Sequence, residues 1–151
     1  MSKALVVYDT MFGNTEKVAK ALAKGLEEGG AIVDCMRIDA AKLDELSGYD
    51  LLAVGSPVQA WSASKTTKAF LESLKNVKGL NGKKAFAFDT KMSRSKLIGD
   101  AGGKIEGKLK DLGLTIVKPH ASAVVKGREG PLEEGAEETF KQLGAELAKM
   151  M

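Results

Sequence analysis

The chain is 151 residues long with 44% hydrophobic and 28% charged residues, which predicts one folded domain spanning residues 1–151 and excludes disordered and disulfide-rich classes. Lys and Arg exceed Asp and Glu by three, an excess spread along the chain that argues against nucleic acid as a partner. A single cysteine and a single histidine, Cys35 and His120, make neither an internal disulfide nor a Cys/His zinc site, so no metal is expected. No apolar stretch approaches the ~20 residues of a membrane span, and the first residues are too short for a secretory leader, which reads as a cytoplasmic protein with no membrane attachment.

In chain order, short apolar runs alternate with helical patterns. Residues 4–8 (ALVVY) read as a strand, and residues 14 onward as a helix with Val18, Ala21, Leu22 and Leu26 on one face and Gly29-Gly30 as the stop. Residues 31–38 form the next strand, followed by a short helix over 39–46 and a strand over 50–55 (DLLAVG). A helix after Ser64 carries Phe70, Leu71, Leu74 and Val77. A strand over 84–88 precedes a helix after Asp100 with Ile105, Leu109 and Leu112, and residues 114–117 form the fifth strand. Pro131 is expected to open the last helix, with Leu132, Ala136, Phe140, Leu143 and Leu147 as its buried stripe. This βα alternation, with strands apolar on both faces, predicts an α/β fold: a doubly wound five-stranded parallel sheet of order 2-1-3-4-5 with helices on both faces. Ligands of such sheets bind beyond the carboxyl ends of strands 1 and 3, directing attention to the loops at 9–15, 56–64 and 89–99.

The first of these, Thr10-Met11-Phe12-Gly13-Asn14-Thr15, joins a strand to a helix N-terminus, where free N–H groups and the helix dipole suit a phosphate. It lacks both GxGxxG and GxxxxGK[ST], so a monophosphate fits better than a dinucleotide or a triphosphate. Simple capping by Asn14 or Thr15 accounts for the same residues.

The segment YDTMFGNTEKVAKAL resembles the phosphate loop and first helix of the flavodoxin family. Thr10, Gly13 and Thr15 match the family's [ST]-x-[ST]-G-x-[ST] pattern, and Phe12 replaces one hydroxyl residue. An aromatic at that place resembles the flavodoxin modules of A-type flavoproteins, the diiron oxygen and nitric oxide reductases. LLAVGSPVQAWSASKTTKAFLESL and KKAFAFDTKMSRS are similar to the family's third and fourth strands with their flavin loops, and the last strand region, broken only locally at Pro119, resembles the short-chain form.

The resemblance implies a flavodoxin-like fold binding FMN, with the phosphate on residues 10–15. The isoalloxazine would lie between a loop of Ser56, Pro57, Val58, Gln59, Ala60 and Trp61 and a loop of Asp89, Thr90, Lys91, Met92 and Ser93. Trp61 would stack on the flavin or else anchor the following helix. Met92 or Leu97 would cover the other face, where the family often uses Tyr. Two departures stand out. No Gly lies in Val58-Gln59-Ala60-Trp61, where many flavodoxins use one to flip a peptide beside the flavin, and residues 89–110 carry six basic against three acidic side chains where the family is usually acidic. Residues 127–151 carry three basic residues against six Glu.

Cys35 and Tyr8 are expected as packing residues, His120 as non-catalytic, and the six methionines as gap fillers. With no catalytic constellation, the implied function is an FMN-binding electron carrier working between redox partner proteins: a reductase or low-potential donor on one side and an acceptor enzyme on the other. A monomer or weak dimer is expected. The alternatives are a small flavodoxin-like FMN reductase of a quinone or nitric oxide pathway, and a flavin-free flavodoxin-fold binding module.

Overall fold

A computed structural model describes residues 2–59, 62–92 and 101–151. Ala60, Trp61 and Ser93, together with Arg94, Lys96, Leu97 and Asp100, lie outside the described residues.

Strand β1 (Lys3–Tyr8) sits between β2 (Ile32–Arg37) and β3 (Leu51–Gln59), parallel to both. Strand β5 (Lys84–Lys91) lies on the far side of β3. The fifth position is filled by two pieces in succession: β6 (Thr115–Ile116) pairs with the start of β5, and β7 (Ala121–Val124) with its end. The order is thus the expected 2-1-3-4-5, with the final strand interrupted around Pro119. A short β4 (Ser62–Ala63) returns antiparallel along the end of β3.

Alternation along each strand divides the core into two layers. Ala4, Val6 and Tyr8 of β1 and Phe86 and Phe88 of β5 face α1 (Asn14–Glu28) and α4 (Ala136–Lys149). Leu5, Val7, Leu52, Val54, Ala85 and Ala87 face α2 (Lys65–Ser73) and α3 (Ala101–Asp111). Burial on both faces is why these strands read as continuous apolar runs. Helices α1 and α4 approach so closely that a methyl group on Gly25 would meet the Lys141 carbonyl, and one on Gly144 the Leu22 carbonyl.

Four expectations are corrected. The short helix over 39–46 is a pair of 3-10 turns, Ile38–Ala40 and Leu43–Gly48. The third and fourth strands run on to Gln59 and Lys91, so residues 56–59 and 89–91 of the expected loops are strand. The last helix begins at Ala136 rather than Pro131. Residues 125–133 instead fold back on themselves, with Lys126 N donating to Pro131 O at 2.8 Å and Glu133 N to Val124 O at 2.8 Å, so Leu132 bridges Val125. Finally, Met11, Met92 and Met150 are exposed, not gap fillers.

Candidate functional site

Because β1 is followed by β2 on one side and by β3 on the other, the crossovers diverge at the carboxyl ends of β1 and β3 and leave a crevice there. A cleft of about 410 Å³ occupies it, lined by residues 10–12, 14, 15, 57–59 and 90–92 with Val125 and Arg128. That volume falls in the roughly 300–1,000 Å³ range of small-molecule and cofactor sites.

One end of the cleft is built by the turn into α1. Gly13 N donates to Thr10 Oγ1 at 2.9 Å, and Gly13 adopts φ +87°, a left-handed conformation that costs a glycine little. As the residue before the helix, Gly13 offers no side-chain acceptor to the first-turn N–H groups, and a Cβ there would stand in open space. The helix therefore starts with donors that no side chain of its own N-cap satisfies, at the positive end of the dipole. The Asn14 amide Nδ2 donates to Glu129 O at 3.1 Å, drawing the loop after β7 over this helix start. Thr15 Oγ1 lies 2.8 Å from Thr90 Oγ1, tying the helix to the end of β5 in a buried pair.

The walls come from the other two strands. Pro57 stands in register with Thr90 of β5, Val58 and Gln59 form the arm of β3 that pairs with β4, and Thr90, Lys91 and Met92 close the opposite side. Met11, Phe12 and Met92 are exposed around the mouth. The guanidinium of Arg128 stands 6.0 Å from the centroid of the Phe12 ring, a cation–π distance.

The structure brings together Thr10, Met11, Phe12, Asn14, Thr15, Pro57, Val58, Gln59, Thr90, Lys91 and Met92 on this one cleft. Gly13 shapes the turn beneath it. Ser56 and Asp89 do not line it: Ser56 Oγ accepts from Ser64 N at 3.0 Å behind the wall, and Asp89 Oδ2 accepts from Gly102 N at 2.8 Å at the start of α3. Both are fully buried. The sequence reading passed over Val125 and Arg128. The last strand region is legible beyond its break at Pro119, but the loop that leaves it is not among the three expected at the carboxyl edge of the sheet; the apolar run of residues 123–125 (AVV) before Gly127 was the available signal.

Among the described residues, the remaining titratable groups sit off the cleft. Tyr8 OH donates to Glu16 Oε1 at 2.9 Å; burial, reinforced by that carboxylate, pushes its pKa up to about 12. Cys35, on the edge strand β2, is raised to about 11, mainly by burial. His120 meets Glu106 through both its backbone N, at 2.8 Å, and its Nδ1, at 3.1 Å. No group of three His, Cys, Asp or Glu able to hold a metal occurs among the described residues, nor is any of their helices long and apolar enough to cross a membrane.

Comparison with known proteins gives one family: the Flavodoxin model matches residues 6–142. A probable flavodoxin 2 of Bacillus subtilis is 32% identical over 99% of this chain and 96% of its own length. The crystal structure of oxidised flavodoxin 1 from Bacillus cereus superposes with a TM-score of 0.84 at 25% identity, covering 99% of both chains. An NAD(P)H dehydrogenase (quinone) of Caulobacter vibrioides is also 32% identical, over only 58% of this chain and 56% of its own.

Proposed function

The chain belongs to the flavodoxin family, whose members bind FMN and transfer electrons between redox partners, and from that premise we propose that its FMN sits in the cleft between β1, β3 and β5. One observation carries the placement: the only crevice at the strand-order reversal ends on a glycine-led helix N-terminus, among the described residues. The residues fit the group. The α1 amides and the Thr15–Thr90 hydroxyl pair would take the phosphate. Pro57, Val58, Met92 and Val125 offer apolar wall to the ring system.

Bound FMN supplies a centre that accepts one or two electrons. The chain's own residues orient it and keep water from its inner side, while exposed Met11, Phe12 and Met92 leave the mouth open to a protein surface. The described lining residues include no carboxylate, imidazole, thiol or phenol. This favours a carrier over an enzyme with its own substrate. The basic residues of 89–110 favour an acidic docking patch on a redox partner, reached by a monomer or weak dimer in the cytoplasm, without nucleic acid or membrane.

Titrating the apoprotein with FMN and with riboflavin tests the placement. Tighter binding of FMN is expected. Equal affinity for the two flavins would reject the helix N-terminus as the phosphate site.

A further inference from the structure

We propose that Arg128 is the residue that selects the phosphorylated flavin, its guanidinium closing the phosphate end of the cleft opposite the start of α1. The inference rests on FMN occupying that cleft. A phosphate monoester carries about −1.5 to −2 charge at neutral pH, against a helix N-terminus worth roughly +0.5. The loop over residues 10–15 contains no Lys or Arg. A cation from another element would add to what the amides and hydroxyls supply, and among the described lining residues only Lys91 and Arg128 are cationic.

The two are placed differently. Lys91 ends β5, in register with Val124, and its carbonyl accepts from Val125 N at 2.8 Å, so its backbone belongs to the sheet. Arg128 stands on a turn fastened to the phosphate loop itself. The amide of Asn14, the first residue of α1, donates to the carbonyl of the next residue, Glu129. Gly130 N closes on Gly127 O at 3.1 Å, and Lys126 N on Pro131 O at 2.8 Å. Gly130 itself packs on Asn14 so closely that an added Cβ would come within 2.9 Å of its Oδ1. From this turn the Arg128 side chain reaches the ring of Phe12, the residue before Gly13, with 6.0 Å between guanidinium carbon and ring centroid. A ring contact of that kind holds a guanidinium while leaving its N–H groups free to face an oxyanion, which an ammonium cannot match in geometry. Arg128 is exposed, so its effect is expected to be salt-sensitive.

The test titrates FMN and riboflavin into wild-type, Arg128→Met and Arg128→Lys apoprotein at low and high salt, with thermal melts to check folding. Arg128→Met keeps the apolar stem and should weaken FMN by about tenfold or more at low salt, leaving riboflavin within about twofold. It should also flatten the salt dependence of FMN binding, and Arg128→Lys should recover part of both. Equal losses for the two flavins would show that Arg128 only packs on Phe12 and would overturn the proposal, as would an unchanged FMN affinity. If wild-type protein does not prefer FMN to riboflavin, the placement of the phosphate fails first and this inference with it.

Discussion

Replacing Thr15 by Ala tests the hydroxyl pair that joins α1 to β5. Thr15 is 1% exposed and Thr90 5%, with 2.8 Å between their Oγ1 atoms. Two hydroxyls have two hydrogens, and one of these is used between them; the other remains for an acceptor in the cleft that both residues line. Removing Thr15 Oγ1 therefore has two separable effects. In the apoprotein it strands a buried Thr90 hydroxyl, which costs about 1–3 kcal/mol and, at this chain length, lowers the melting temperature by roughly 2–4 °C per kcal/mol. In the holoprotein it removes a hydrogen bond to a charged oxygen, ~1.5–3 kcal/mol, or about tenfold to a hundredfold in FMN affinity. Flavin fluorescence titrations with FMN and riboflavin, beside thermal melts of the apoprotein, read the two separately, and Thr15→Ser should restore both. A Thr15→Ala protein that melts lower but binds FMN as tightly as before would refute the reasoning: the pair would be a structural tie and the phosphate would lie elsewhere.

Gly144→Ala should destabilise the fold by about 1–3 kcal/mol in a denaturant melt, because its methyl would run into the Leu22 carbonyl of α1; an unchanged midpoint would mean the helices separate freely. For Glu106, burial raises the pKa, but the His120 backbone N–H and imidazole outweigh it and hold the carboxylate below its ordinary value of 4.5. A depressed folded-state pKa adds stability that is present above that value and fades as pH falls through the folded one, so Glu106→Gln should flatten the acid limb of the stability profile below pH 4.5; parallel limbs would rule out the contribution. The peptide after Val58 is held in the β3–β4 pair and flanked by residues with a Cβ, so a flip there is costly, and an anaerobic titration should show the two one-electron potentials lying close together. Large accumulation of a one-electron-reduced flavin at the midpoint would contradict this.

What the sequence disclosed depended on how local the cause was. The strand order followed from apolar runs alternating with helical stripes, and the turn at Gly13 from a glycine set before a helix start, because each is written in neighbouring residues. The Thr15–Thr90 bond joins residues 75 positions apart, and nothing in either loop announces it. Asp89 reads as a loop residue after a strand ending at Phe88, yet it is buried in β5 and accepts from Gly102 N, a partner 13 residues on. Pro131 looked like a helix start on propensity, but pairing between Val125 and Leu132 claimed that segment for a turn and delayed the helix to Ala136. Arg128 lies on the exit of the last strand, a loop tied to the start of α1 through Asn14 and Glu129, 115 positions apart, and no local pattern shows that link.

On the proposed reading, this chain carries electrons for other proteins and transforms no substrate itself. The most direct test of that reading follows NADPH oxidation by the FMN-loaded protein with a small quinone present, with and without an added NADPH-dependent flavoprotein reductase. The account predicts negligible NADPH consumption by the protein alone and reduction of its flavin only once the reductase is added. Sustained, quinone-dependent oxidation of NADPH without the reductase would contradict it and make the protein an enzyme.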